Sequence, residues 1–163
     1  MIAALERMGT GKVDGRALFL LSARCVAELP TAIVVGSTYF VSLIVCDARP
    51  MSAEDVTNLA RTLLKAGCVY FCCWGPDCER VHDIIDETYL EMTGNPIHDD
   101  ESTIMTTWHS DDSLPEAAWF VLNVAFPDDR FIDKCRAVVA TCLGEPSLSD
   151  SVREAFAHAC ARS

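Results

Sequence analysis

Apolar runs of strand length alternate along this chain with segments in which apolar residues recur every three or four positions. Tyr39–Cys46 is the clearest run, rich in β-branched and aromatic residues and halted by Asp47, Ala48, Arg49 and Pro50. Ser52 with Asp55 three residues on reads as a helix start. Val56, Leu59, Ala60, Leu63 and Leu64 then mark one buried face until Gly67 closes the segment. Cys68–Trp74 is apolar at all seven positions, as expected of a strand covered on both faces. Past Gly75, Pro76 and Asp77, a second helix packs through Cys78, Val81, Ile85, Tyr89 and Met92 and stops at Gly94, Asn95 and Pro96. A strand near residues 103–108 follows, then a capping box at Ser113 and Glu116 that opens a helix to about Ala125. Residues 135–142 supply a last strand and 149–160 a last helix, while 17–21 and 31–35 read as early strands.

Four alternations of strand and helix with short connections imply right-handed crossovers. The expected fold class is therefore α/β, a three-layer sandwich with a mainly parallel sheet, to which the early apolar segments add antiparallel edge strands. Residues 1–16 carry Gly9, Gly11, Gly15 and isolated charges and are expected to form a loosely ordered N-terminal segment, with at most a short amphipathic start at 2–8. Residues 17–163 form a single α/β domain. No repeat or linker divides it.

A length of 163 residues, half of them hydrophobic, is enough for one buried core. Thirteen basic against twenty-four acidic side chains give a formal charge of −11, which repels phosphate backbones and excludes nucleic acid as an expected partner. Acid is concentrated in short runs at 99–101, 111–112 and 128–129, suited to solvation or to a basic protein surface. Nine cysteines is an odd count without a CxxC pair, and no secretory leader opens the chain, so a reducing cytoplasm is expected. The uncharged stretch 29–46 is interrupted by Pro30, Gly36 and Ser37, which argues for two strands and no membrane span.

In such sheets ligands bind beyond the carboxyl ends of the strands. The strand-end residues here are polar: Asp47 and Arg49, then Asp77, Cys78 and Glu79, then His109, Asp111 and Asp112, and last Thr141 and Cys142. Three chemistries can be tried against the segment 72–83. Cys78 in the first turn of a helix would gain thiolate character from the unpaired N–H groups, with His109 as base and Asp77 beside it, making these three the catalytic candidates. Cys78 is equally the first inward residue of its helix. A phosphatase loop fails, because Cys73 and Arg80 stand at C-x6-R where C-x5-R is needed. Zinc would need Cys78 and His82, spaced i and i+4, to be completed by Cys73 and His109, and a single ligand couple is too little, so no metal is expected. Gly9-Thr10-Gly11-Lys12 is followed by Val13 and is not a phosphate loop. No dinucleotide fingerprint, serine elbow or HExxH occurs, and no cofactor is expected. His98 and His158 read as solvated. Trp74 and Trp108 close strands on the presumed functional edge and can anchor a partner or cap the core, and Trp119 lies in a helix apolar nearly all round.

The run Gly67-Cys68-Val69-Tyr70-Phe71, the turn 74–79 and Thr107-Trp108-His109 before a tryptophan-bearing helix resemble a family of small uncharacterised bacterial α/β proteins over roughly residues 40–127. The resemblance implies a bacterial cytoplasmic origin and carries over no catalytic residue. The leading expectation is an acidic protein-protein interaction module, immunity-like or accessory. It would bind a basic protein partner through Asp47, Trp74, Glu79, His82, Trp108, Asp111 and Asp112. The alternative is a small enzyme or ligand-binding domain with its site at the strand ends.

Overall fold

The computed structural model describes residues 3–94 and 103–163. Six strands, β1 (Ala4–Thr10), β2 (Ala17–Ala23), β3 (Tyr39–Cys46), β4 (Cys68–Trp74), β5 (Met105–Trp108) and β6 (Cys135–Leu143), form one sheet in the order β1-β2-β6-β3-β4-β5. From β2 to β5 every pairing is parallel, and β1 runs antiparallel to β2 along the edge. The helices are α1 (Ala53–Ala66), α2 (Cys78–Thr93), α3 (Leu114–Asn123), the short α4 (Asp129–Ile132) and α5 (Pro146–Arg162). This is the expected three-layer α/β sandwich. None of its helices, among the described residues, is long and apolar enough to cross a membrane.

Strand side chains alternate between the two faces, so β3 sends Val41, Leu43 and Val45 into one core and Phe40, Ile44 and Cys46 into the other. The first core is closed by α3 and α5, the second by α1 and α2. Both layers are needed: a fully buried Leu, Ile or Val contributes roughly 1.5–3 kcal/mol, and β3 is buried at seven of its eight positions. Ser42 Oγ and Thr141 Oγ1, both fully buried, satisfy each other at 3.0 Å between β3 and β6. A one-residue slip of register would part them and strand two hydroxyls in the core.

Two segments differ from the sequence expectation. Residues 31–35 are not a strand but a loop that drops Ile33 and Val35 into the α1 side of the core. The reason is topological: β6 occupies the place between β2 and β3, so the chain joining those strands must cross over it instead of pairing. Residues 4–10 form the edge strand β1, where helix or loose chain was expected. Backbone pairing to β2 holds this strand, not burial, since most of its side chains are exposed and it bulges between Arg7 and Gly9.

Arg16 is a buried cation at 3% exposure. Its guanidinium donates to the Ala125, Val121 and Leu122 carbonyls at 3.1, 3.2 and 3.3 Å, capping the end of α3, and it lies over the Phe126 ring. Its Nε sits against the Asp14 carboxylate as an ion pair without hydrogen-bond alignment. Removing the guanidinium would leave several buried acceptors unpaired. Arg16→Met is expected to lower the urea-unfolding free energy by about 3 kcal/mol; a loss below about 1 kcal/mol would contradict this role.

Candidate functional site

Ala23, Leu143 and Cys46 lie side by side in the register of β2, β6 and β3, so the turns that follow these strands leave the sheet at one level. After β3 the chain turns into α1 on one face, and after β6 into α5 on the other. A crevice opens where adjacent strands send their helices opposite ways, the usual ligand position in such sheets. It is a cleft of about 540 Å³, within the roughly 300–1,000 Å³ common for small-molecule sites. Arg24, Cys25, Val26 and Ala27 come from the end of β2 and the 3₁₀ turn Val26–Glu28. Asp47, Pro50, Met51 and Asp55 come from the β3–α1 connection, and Leu143, Gly144, Glu145 and Leu148 from the β6–α5 connection.

The charged side chains at the cleft are mostly committed. Arg24 forks onto Glu28, with Nη2 to Oε1 at 2.6 Å and Nε to Oε1 at 3.0 Å, and hydrogen bonding from this guanidinium holds the Glu28 carboxyl down to about 2. Arg49 does the same for Asp47, whose carboxyl is held below its ordinary value. Asp55 completes the capping box of α1, accepting from the Ser52 backbone at 3.2 Å while Ser52 Oγ accepts from Asp55 at 3.0 Å. Glu145 is the N-cap of α5, makes no capping hydrogen bond with its side chain and is exposed.

The candidates beyond Asp47 cluster at the β4 and β5 end of the same edge, and most hold loops together. Asp77 adopts a left-handed conformation at φ 64° and accepts from Arg80 Nε at 2.6 Å. Arg80 in turn donates to the Ala48 and Met51 carbonyls, lacing the β4–α2 turn to the β3–α1 turn. At Gly75, φ is 116° and a Cβ would overlap the Cys46 carbonyl oxygen, so the two turns approach as closely as backbone permits. Trp74 Nε1 donates to the Asp112 carbonyl at 2.8 Å. Glu79 and Asp111 are exposed.

Cys78 and His109 are not brought together. Strand alternation points Thr106 and Trp108 at α2, where Thr106 Oγ1 donates to Asp86 and the Trp108 ring meets His82 edge-on at 4.6 Å. His109 therefore faces the other layer and packs on Phe120 of α3 at 4.6 Å, while Cys78 is buried among the α1 and α2 residues. Both His109 ring nitrogens are engaged, Nδ1 with Asp112 Oδ2 at 2.7 Å and Nε2 with Thr107 Oγ1 at 3.0 Å. His82 lies between Asp83 Oδ1 at 2.9 Å and Asp86 Oδ2 at 3.6 Å. Among the described residues no group of three or more His, Cys, Asp or Glu side chains is placed to hold a metal. His158 is exposed, Asp128 N-caps α4, and residues 98–101 lie outside the described residues.

Sequence reasoning found Asp47 but missed Arg24, Cys25, Gly144 and Glu145. The Gly144-Glu145-Pro146 punctuation after an apolar run was the available signal for the last two.

A doubly wound α/β domain with an open crevice at its strand-order reversal is the class that fold and cleft define. The model of the domain of unknown function DUF7684 matches residues 19–159, and the chain belongs to that family. No curated protein and no solved structure matches the chain.

All nine cysteines are free, seven of them buried, with Cys160 half-buried and Cys25 exposed in the cleft. Burial pushes the Cys46 and Cys72 thiols up to about 12 and Cys135 to about 11 from an ordinary 9.0. Alkylation with iodoacetamide at pH 7.5 is expected to modify Cys25 first and Cys160 next, leaving Cys78 and the others protected until unfolding. Rapid modification of native Cys78 would restore it as a nucleophile candidate. Because the folded pKa values are raised, the folded state keeps these protons above pH 9 while the unfolded chain releases them. Stability is thus full below pH 9 and falls as pH rises beyond it, by about 1.4 kcal/mol per pH unit for each thiol. Chemical denaturation between pH 7 and 11 measures this, and a flat profile would contradict it.

Proposed function

We propose that this protein is a binding domain that takes a small molecule in the cleft at the carboxyl ends of β2, β6 and β3. The observation that carries the reading is the position of the cleft, where the neighbouring strands β3 and β6 send their following helices to opposite faces. It is supported by the engagement of the potential acid-base groups elsewhere: His109 has both nitrogens bonded, and Asp77 and Trp74 fasten loops. The setting is the bacterial cytoplasm implied by the family resemblance.

A thermal-shift screen of a small-molecule library against the protein and its Ala27→Trp variant tests this. Ala27 is exposed on the cleft wall, so tryptophan there fills the cleft without disturbing the core. A ligand at a hundred times its Kd is expected to add about 2.7 kcal/mol of stability, and Ala27→Trp is expected to abolish that gain. A library without hits, or hits that stabilise the variant equally, would contradict the reading.

A second reading is favoured by a separate observation. Asp77, Glu79 and Asp111 are exposed at the β4 and β5 end of the edge beside Trp108, which is 44% exposed. This is the composition of an acidic protein-protein interaction module, immunity-like or accessory, with a basic protein partner. On that reading a partner captured at low salt dissociates at high salt, and Trp108→Ala weakens it by about 2 kcal/mol or more. Salt-insensitive capture, or unchanged binding by Trp108→Ala, would count against it.

A further inference from the structure

We infer that the outer edge of β5 is a docking strand. It takes an extended segment of a basic protein, in which Lys or Arg alternates with apolar residues, and adds that segment to the sheet. The inference rests on the second reading above, the acidic interaction module, and adds how the partner is held.

β5 ends the sheet, and the direction of its backbone groups follows from its pairing with β4. In a strand the N–H and C=O of one residue point to one side and those of the next residue to the other. The His109 N–H, just past the strand, donates to the Cys73 carbonyl at 2.9 Å. By alternation Met105 and Thr107 also turn to β4, while Thr106 and Trp108 turn their N–H and C=O outward. Among the described residues no backbone group pairs with these. Open donors and acceptors in a row are a template for another strand. Charge and bulges are common means of blocking an edge. The opposite edge strand, β1, has both, in Glu6, Arg7 and a bulge between Arg7 and Gly9, whereas β5 is Met-Thr-Thr-Trp in regular register.

The surrounding side chains define the segment that fits. Trp108 on the α2 side and Met105 on the other are 44% and 41% exposed, so apolar surface flanks the open edge on both faces. On α2, His82 meets Trp108 and Asp86 accepts from Thr106. Asp83 and Leu90, three residues before Asp86 and four after it, share that side of the helix and are exposed. Residues 81–94 and 103–112 hold six carboxylates, Asp83, Asp86, Glu87, Glu91, Asp111 and Asp112, and neither Lys nor Arg. Arg61 forms an ion pair with Glu91, and among the described residues no Lys or Arg does so with the other five. Residues of an added strand that face α2 therefore meet Asp83 and Asp86, which favours Lys or Arg with the hydrocarbon stem on Trp108. Those facing the other way meet Met105, which favours apolar side chains.

The test is a titration of the isotope-labelled full chain at low salt, followed by backbone amide shifts and amide hydrogen exchange, with three peptides. The first is acetyl-Thr-Lys-Val-Lys-Val-Lys-Thr-amide, the second is the same peptide N-methylated at every Lys and Val, and the third has Glu for each Lys. The first is expected to shift the amides of residues 105–109 and to slow exchange at Thr106 and Trp108. The N-methylated peptide keeps the charge but cannot donate to a ladder, and it is expected to bind at least tenfold more weakly, as is the Glu peptide. Equal binding of the N-methylated peptide, with exchange at Thr106 and Trp108 unchanged, would overturn strand addition and leave the acidic-module reading standing. Equal binding of the Glu peptide would overturn the basic partner in both. If no peptide moves the amides of 105–109 the inference fails, while the reading beneath it is decided separately by salt-sensitive capture of a partner and its loss in Trp108→Ala.

Discussion

The last strand of the chain, β6, enters the sheet between two strands that precede it, and the layout of the carboxyl edge follows from that insertion. β6 pairs in parallel with β2 on one side and β3 on the other, and it is buried at every position but Arg136. A two-sided ladder of this kind joins segments far apart in sequence, and the entropy of closing that loop opposes the contacts that reward it. Once formed, it forces the connection after β2 to pass over the sheet, and the helices that follow β3 and β6 leave on opposite faces. The cleft is the space left at the line of division. Ser42 and Thr141, bonded to each other in the core, tie this insertion to one register.

A second set of interactions holds the rest of the edge rigid. Arg80 fastens the turn after β4 to the turn after β3, Trp74 fastens the end of β4 to the loop after β5, and the His109–Asp112 pair braces that loop against α3. These side chains have the composition of an active site, yet the bonds they make are to the protein's own loops. A polar strand edge in an α/β domain must satisfy many loop carbonyls and N–H groups, and the same residue types that perform catalysis elsewhere do that work here. The cleft draws on a different set, in which an apolar wall of Val26, Ala27, Pro50, Met51, Leu143 and Leu148 is left open.

Much of this was legible in the sequence. The central pattern 39–93 predicts β3, α1, β4 and α2 within a few residues, because each has strong period, a cap and a breaker. Strand β1 was not legible, because an exposed edge strand carries no burial pattern and is defined by its neighbour's backbone. Residues 31–35 have strand composition but no partner to pair with once β6 takes the adjacent place. The separation of Cys78 from His109 was half-legible: adjacent residues at the end of a strand must point to opposite faces, so if Trp108 meets α2 then His109 cannot. The cleft was least legible, since Arg24, Cys25, Gly144 and Glu145 converge only through the long-range pairing of β2 with β6.

The convergence of those residues is the central claim, and a nitroxide attached to Cys25, the one exposed thiol among the described residues, measures it directly through paramagnetic broadening of backbone amides. The account predicts strong broadening at Asp47, Met51, Gly144 and Glu145. Lys134, which lies by the amino end of the nine-residue β6 and thus about 30 Å away by strand rise, is predicted to stay sharp. Broadening confined to the sequence neighbours of Cys25, with residues 143–148 unaffected, would contradict it.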